Sequence, residues 1–338
     1  MKYKHVVITR SGGPNVLQLV EDELPDPQAG EIRVKVLAAG VAFTDVMMRE
    51  GVYPGVPKLP YSPGYDIVGT VDKLGEGVST PRAGEMVVAM TIIGGYGEYL
   101  CIPANDAVAV PVGVDPVEAV GLVLHYITAY QMLHRIAQVQ TGNKILIHGA
   151  GGGVGTALLE LGNLAGLEMY GTEAKAKHEL VSQLGGIPID YQHEDFGDRI
   201  QQLTGDGVNA VFDSIGGSNL WRSYKTLRPG GKLVSYGFMS VFKGRGSKMF
   251  KIGSTLLQVA LLNLIPDGRR AISYNIASWK AKHPDWYRQD LSTLLNLLAQ
   301  GQIKPIISDR LPLSDAAHAH ELLDKAEVSG KLVLICNS

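Results

Sequence analysis

Cysteine is scarce in this chain. Its 338 residues include only two, Cys101 and Cys336. They stand far apart and in no CxxC pair, which excludes a disulfide framework and a cysteine-built zinc site. Such usage fits a reducing compartment, so a cytoplasmic location is expected. Met1-Lys2-Tyr3-Lys4-His5 runs directly into Val6-Val7-Ile8, without the apolar core of a signal peptide. An excess of one charge is also missing. Lys and Arg total 31 against 33 Asp and Glu, for a formal net charge of −2. That gives no electrostatic reason to expect nucleic acid or anionic lipid as a partner. Long hydrophobic runs are absent too. The most apolar stretch, Leu256–Ile265, is interrupted by Gln258 and Asn263 and falls well short of the ~20 residues that span a bilayer. It reads as a core, lid or interface helix, and stable membrane insertion is not expected. The nine histidines form no HxxxH cluster. His318 and His320, two apart on a predicted helix, face different directions.

What is present is the material of a packed protein. Apolar residues make up 45% and charged residues 19%, and the length implies about two domains. The first third is β-rich, with short apolar runs at Ile32–Leu37, Ile67–Val71, Met86–Met90 and Tyr99–Ile102 between Gly and Pro punctuation. Gly121–Ile136 reads as a helix. From Lys144 onward strands alternate with helices: Lys144–His148, Glu168–Gly171, Ala210–Asp213 and Lys232–Tyr236 are strands, and Gly155–Ala165, Lys175–Leu184 and Arg199–Leu203 are helices. That alternation implies βαβ units and a parallel sheet. After about Pro266 come two helices, Asp290–Gln300 and Ser314–Ala326 with Ser314 as N-cap, and a final strand, Lys331–Ile335. The expected fold class is α/β. A cofactor domain at 123–267 is inserted into a mostly β domain made of 1–122 and 268–338.

The strongest motif is the strand Lys144–His148 followed by Gly149-Ala150-Gly151-Gly152-Gly153-Val154-Gly155 and then a predicted helix. The spacing Ala150-x-Gly152-x-x-Gly155 is a dinucleotide fingerprint with Ala in the first place. Small residues let the backbone approach a pyrophosphate, and the helix N-terminus adds free N–H groups and the positive dipole end. At the end of the second strand an NAD site usually carries an acid for the ribose hydroxyls. Thr172 is expected in that place, with Lys175 and Lys177 just beyond to meet a 2′-phosphate. NADPH is therefore the expected cofactor, and Glu173 is the complication.

Several further segments show a family resemblance. They include Ala38-Ala39-Gly40-Val41-Ala42-Phe43-Thr44-Asp45, Leu59-Pro60-Tyr61-Ser62-Pro63-Gly64-Tyr65-Asp66, Gly95-Tyr96-Gly97-Glu98-Tyr99 and Leu227-Arg228-Pro229-Gly230-Gly231. With the glycine loop they resemble the medium-chain dehydrogenase/reductase superfamily, in its zinc-free quinone oxidoreductase (zeta-crystallin-like) branch. The resemblance implies a GroES-like catalytic domain plus a Rossmann doubly wound domain, a cleft between them, and a homodimer. It also places Thr128, Gly237, Phe238 and Lys331 at the cofactor and Tyr191 beside the adenosine phosphate.

Zinc enzymes of the superfamily bind metal where this chain has Ala42, Tyr65 and, near the third position, Leu124. None of these is a competent zinc ligand at ordinary pH, so no metal is expected. Without a Lewis acid a simple ketone is hard to polarise. A quinone or α,β-unsaturated carbonyl accepts hydride at carbon and needs only a hydrogen-bond donor near its oxygen and a proton source. By the resemblance Tyr53 is the candidate donor, or else a wall residue of the cleft. Asp45 is either an orienting group or a helix cap. His125 is a further candidate, with a structural role the commoner one for such a residue. Two other functions stay open. One is an enoyl-thioester reductase, with Lys243, Arg245, Lys248 and Lys251 as a carrier patch. The other is a non-catalytic NADPH-binding protein of the crystallin or vesicle-associated type.

Overall fold

The computed structural model describes residues 1–242 and 247–336. The chain divides into two compact units, Met1–Ile127 with His283–Ser338, and Thr128–Lys282.

The first unit is built on a seven-stranded sheet. Its path runs Ile307–Pro312, Lys331–Ile335, Glu31–Val41, Asp66–Leu74, Met86–Met90 and Val108–Ala109, and Tyr99–Pro103 also pairs with Glu31–Val41. A separate antiparallel ribbon joins Lys2–Ile8 to Leu17–Glu23. The strand Glu31–Val41 shows why these residues choose a sheet. Ile32, Val34 and Val36 are fully buried, while Lys35 between them faces solvent, the period-two pattern of a half-buried strand. They join Ile67, Val87, Leu332 and Leu334 in one core, and each such side chain contributes about 1.5–3 kcal/mol on burial. The helix Ala316–Asp324 closes one side of this core with Ala316 and Ala319. It begins two residues later than the pattern indicates. Ser314 lies in a 3₁₀ turn and its hydroxyl donates to Asp315 Oδ1 at 3.1 Å, so Asp315 rather than Ser314 stands at the cap position.

The second unit is a six-stranded parallel sheet in the order Gly186–Asp190, Glu168–Glu173, Lys144–His148, Val208–Asp213, Leu227–Ser235, Arg270–Ser273. This is the doubly wound, Rossmann arrangement. The strand order reverses between Lys144–His148 and Val208–Asp213, the switch point where such sheets bind ligands. The sixth strand differs from expectation. Arg270–Ser273 pairs in parallel with Lys232–Ser235, so this unit runs on to Lys282 rather than ending near Pro266. Four residues with one buried side chain, Ala271, leave little periodicity to read. The stretch around Leu256 belongs to a helix, Lys248–Leu262, which buries Ile252, Val259 and Leu262. No helix among the described residues is long and apolar enough to cross a membrane.

Candidate functional site

In the second unit the glycine loop follows the strand Lys144–His148 and leads into the helix Gly153–Leu164. Gly149 has a φ of +70°. Gly152 N–H donates to Gly149 O at 3.0 Å, which closes a tight turn. A Cβ on Gly155 would stand 2.2 Å from Gly149 O and 2.7 Å from the Ala150 backbone, so only glycine lets this helix pack so close. Gly152 is the N-cap and no side chain caps the helix. Gly153 and Val154 therefore present the first N–H groups to the loop, as an anion-binding helix start requires. Ala150 is fully buried at the base of the turn. A pyrophosphate fits these residues.

Thr172 lies near the end of the second strand, where its carbonyl oxygen accepts from Gly149 N–H at 3.1 Å and Ala150 N–H at 3.2 Å. It is 3% exposed, and its Oγ1 lies 2.8 Å from His148 Nδ1. The proton directions follow from the far end of this chain. The Ser223 hydroxyl donates to Asp213 Oδ2 at 2.7 Å, so its oxygen accepts from His148 Nε2 at 2.9 Å. His148 Nδ1 is then the acceptor, and the Thr172 hydroxyl donates to it. Burial lowers the His148 pKa, which keeps this neutral form. Thr172 is thereby committed to the interior. The group that faces the loop is its neighbour Glu173, whose Oε2 accepts from Gly151 N–H at 2.8 Å and whose Oε1 accepts from Ala174 N–H at 3.0 Å. Successive strand residues point to opposite faces, so the Thr172 side chain turns inward and the Glu173 side chain turns to the loop.

Lys177 lies against the loop: a Cβ on Gly151 would be 2.9 Å from Lys177 Cδ. Lys175 is exposed. Tyr191 is 48% exposed just after the strand Gly186–Asp190. Gly237 passes so near Ser214 that a Cβ would meet its carbonyl oxygen at 2.5 Å, and Phe238 beside it is half-buried. Thr128 is buried in the helical turn Ile127–Tyr130.

In the first unit Tyr53 is 8% exposed, and its hydroxyl lies 2.9 Å from that of Tyr65, which is fully buried. Asp45 is fully buried as well. It occupies the third position of the helix Phe43–Arg49, where its Oδ2 accepts from Ala42 N–H at 2.9 Å, the reach-back bond of a capping box. Its Oδ1 accepts from Gly64 N–H at 3.2 Å. The carboxylate therefore ties the helix start to the segment carrying Tyr65. Burial pushes its pKa up to about 7 against the pull of these backbone donors, and the Asp66 charge adds to the rise. Asp45 acts as the cap and brace of the site.

Lys331 is buried in an ion pair. The resemblance assigns it to the cofactor. Its ammonium sits 2.7 Å from Asp66 Oδ2, with side-chain exposures of 2% and 0%. Gly40 makes room for the pair, since a Cβ there would lie 2.2 Å from Lys331 Cε and 2.3 Å from Asp66 Oδ1. His125 is buried too, and burial and the Lys331 charge lower its pKa well below the ordinary value. It is a neutral interior group.

Two features of this unit escape sequence reasoning. Thr44 Oγ1, next to Asp45, is buried without a hydrogen-bond partner. Behind Asp45 runs a polar chain. Arg49 can only donate, so His320 Nδ1, 3.3 Å away, accepts. His320 Nε2 then donates to the Tyr96 hydroxyl at 3.2 Å, and burial, with the Asp45 charge nearby, raises the Tyr96 pKa. Burial and the Arg49 charge push the His320 pKa down to about 3. Arg49 also reaches Asp324 Oδ2 at 3.0 Å. The chain thus joins the helix Ala316–Asp324 to the helix Phe43–Arg49 through Arg49, a link between residues 271 apart that no local pattern reveals. Among the described residues no group of three or more His, Cys, Asp or Glu is placed to hold a metal ion.

Comparison with known proteins agrees with both halves. Residues 28–112 match the alcohol dehydrogenase GroES-like domain and residues 186–334 the zinc-binding dehydrogenase model. The chain is 31% identical to the synaptic vesicle membrane protein VAT-1 homolog of Rattus norvegicus, over 98% of this chain and 83% of that protein. It is 29% identical to the quinone oxidoreductase of the same organism, over 96% and 95%. The crystal structure of Escherichia coli quinone oxidoreductase complexed with NADPH superposes with a TM-score of 0.87 at 28% identity, covering 98% of this chain and 99% of that one. The zinc in one model's description has no counterpart at Ala42, Tyr65 or Leu124. With a brace and phenol pair in one unit and a dinucleotide loop in the other, the chain belongs to the medium-chain dehydrogenase/reductase superfamily, among its zinc-free, quinone oxidoreductase-like members.

Proposed function

We propose that this protein is an NADPH-dependent reductase of quinones or α,β-unsaturated carbonyl compounds that works without a metal. The bound nicotinamide supplies a hydride. Gly152, Gly153, Val154 and Gly155 would hold its pyrophosphate, and Lys175 and Lys177 would face a 2′-phosphate. Tyr53 is the donor to the acceptor's oxygen, and Asp45 holds the frame on which that donor stands. The observation carrying the reading is the Tyr53–Tyr65 hydroxyl pair at 2.9 Å, a protic group at a locus where metal enzymes of the superfamily place a ligand. A neutral donor suits substrates that delocalise their own charge. The NADPH complex of the similar Escherichia coli quinone oxidoreductase supports the cofactor.

An NADPH oxidation assay across quinones, enones and enoyl thioesters, with and without a chelator, tests the reading. Turnover of quinones or enones that chelation leaves unchanged is the expected outcome. Loss of activity on chelation, or no turnover of any acceptor, would overturn it. The vesicle-associated reading rests on the names of relatives at 30–31% identity, and absent turnover together with retained NADPH binding would favour it. For a carrier-docking enoyl-thioester reductase, Lys243 and Arg245 lie outside the described residues, and Lys248 is stacked 4.6 Å from the Phe242 ring centroid.

A further inference from the structure

We infer that His148 is a positioning residue for the dinucleotide, fixing the glycine loop to the loop of residues 214–217 across the switch point. The inference rests on the proposed reductase reading only in taking a nicotinamide dinucleotide as the ligand.

The strands Lys144–His148 and Val208–Asp213 are neighbours in the parallel sheet, and the strand order reverses between them. A dinucleotide lies across the carboxyl ends of the strands at such a point. Its two halves then meet loops from different strands, so the spacing of those loops decides whether both halves fit at once. The glycine loop leaves the first strand at Gly149, and residues 214–217 leave the second after Asp213.

A closed circuit of hydrogen bonds joins the two loops. Gly149 N–H and Ala150 N–H donate to the Thr172 carbonyl oxygen at 3.1 and 3.2 Å. The Thr172 hydroxyl donates to His148 Nδ1 at 2.8 Å, and His148 Nε2 donates to the Ser223 oxygen at 2.9 Å. The Ser223 hydroxyl donates to Asp213 Oδ2 at 2.7 Å. The other carboxylate oxygen, Asp213 Oδ1, accepts from Ile215 N–H at 2.8 Å and Gly216 N–H at 2.9 Å. The Ser214 hydroxyl completes the circuit by donating to the His148 carbonyl oxygen at 3.0 Å. His148 thus takes part through both its side chain and its main chain.

The circuit is sealed from water. His148 is 2%, Thr172 3%, and Asp213 and Ser223 0% exposed. The imidazole also meets the Phe196 ring edge to face, with centroids 4.7 Å apart. The loop it braces contains Gly216 and Gly217 at φ +72° and +60°, backbone with little stiffness of its own. So deep a residue acts on the nucleotide through the loops rather than by contact. A neutral imidazole suits the task because it donates from one nitrogen and accepts at the other. A leucine can do neither, and a glutamine amide can do both.

The test is calorimetric titration of the full chain with two ligands: NADPH, and 2′,5′-ADP, which keeps the adenosine and its phosphates but has no nicotinamide. His148→Leu is expected to bind NADPH about tenfold more weakly and 2′,5′-ADP within about twofold of the parent, because only the longer ligand spans both loops. His148→Gln is expected to recover most of the NADPH affinity. Thermal unfolding confirms that each variant is folded at the titration temperature. Thr172→Val keeps the side-chain shape and removes only the hydroxyl. It is expected to weaken NADPH about threefold, and it carries the test if His148→Leu does not fold. Equal losses for the two ligands would make His148 a merely structural residue and overturn the inference. Unchanged NADPH affinity in His148→Leu, or in Thr172→Val where that variant stands in, would do the same, as would a His148→Gln no better than His148→Leu. A parent chain that binds neither ligand would instead sink the reductase reading itself.

Discussion

Glu173 is the residue whose meaning changed most between sequence and structure. Read along the chain, it was an awkward acid beside two useful lysines. In the structure its carboxylate sits on Gly151 N–H at the edge of the loop, where a ribose-binding acid would stand in an NAD site. An anion there opposes a 2′-phosphate, so Lys175 and Lys177 must outweigh it for NADPH to bind. Glu173→Ser is expected to tighten NADPH by roughly tenfold while leaving NADH unchanged or weaker, a difference of about 1.4 kcal/mol. Fluorescence titration with both nucleotides checks this, and equal affinities before and after would show that Glu173 does not face the cofactor. Tyr53 was named from the family pattern around it, and its role is part of the function proposed above. Tyr65 was legible only as the loss of a metal ligand. The hydroxyl it meets belongs to a residue 12 positions away, a pairing no periodicity encodes.

Among the elements, those with strong local signals were readable. The glycine loop joins a β-branched strand to a capless helix, and its spacing alone demands close approach. The helix Phe43–Arg49 was not proposed as an element, because seven residues with no side-chain N-cap at Ala42 carry little signal. Asp45 completes it from within, and that burial makes the helix sensitive to pH. The Asp45 pKa rises from the ordinary 3.8 to about 7 on folding. Between those values the folded state keeps a proton that the unfolded state has lost, so stability falls as pH rises, by at most ~1.4 kcal/mol per unit. Above about 7 the loss is complete. Asp66, Lys331 and Tyr96 face the same carboxylate and broaden the transition. Asp45→Asn cannot ionise, so its unfolding free energy is expected to vary less between pH 4 and 7 than that of the parent. Urea unfolding across that range measures the slope, and identical slopes would show that Asp45 stays ionised throughout.

At the scale of the whole molecule, the two-unit plan was legible because strand spacing and βαβ alternation extend over tens of residues. The sixth strand of the parallel sheet was missed, and it bears on assembly. Arg270–Ser273 is an edge strand, and edges invite pairing with a second chain. Here Asn263 blocks that route: its side-chain amide accepts from Ala271 N–H at 2.9 Å and donates to Ala271 O at 2.7 Å. The helix preceding Asn263 is not blunted. Phe250 is 77%, Leu257 60%, Leu261 51% and, just beyond it, Leu264 76% exposed, a concentration of large apolar side chains that an isolated surface rarely carries. The homodimer implied by the family resemblance is therefore expected to form through this helix face rather than through strand pairing. Leu257→Asp with Leu261→Asp would place two charges in such an interface, where unpaired charge is strongly unfavourable. Both side chains are largely exposed in the single chain, so its fold should tolerate them. Sedimentation velocity is expected to show the parent as a dimer and the double variant as a monomer with an unchanged circular dichroism spectrum. A variant that remains dimeric would locate the contact elsewhere.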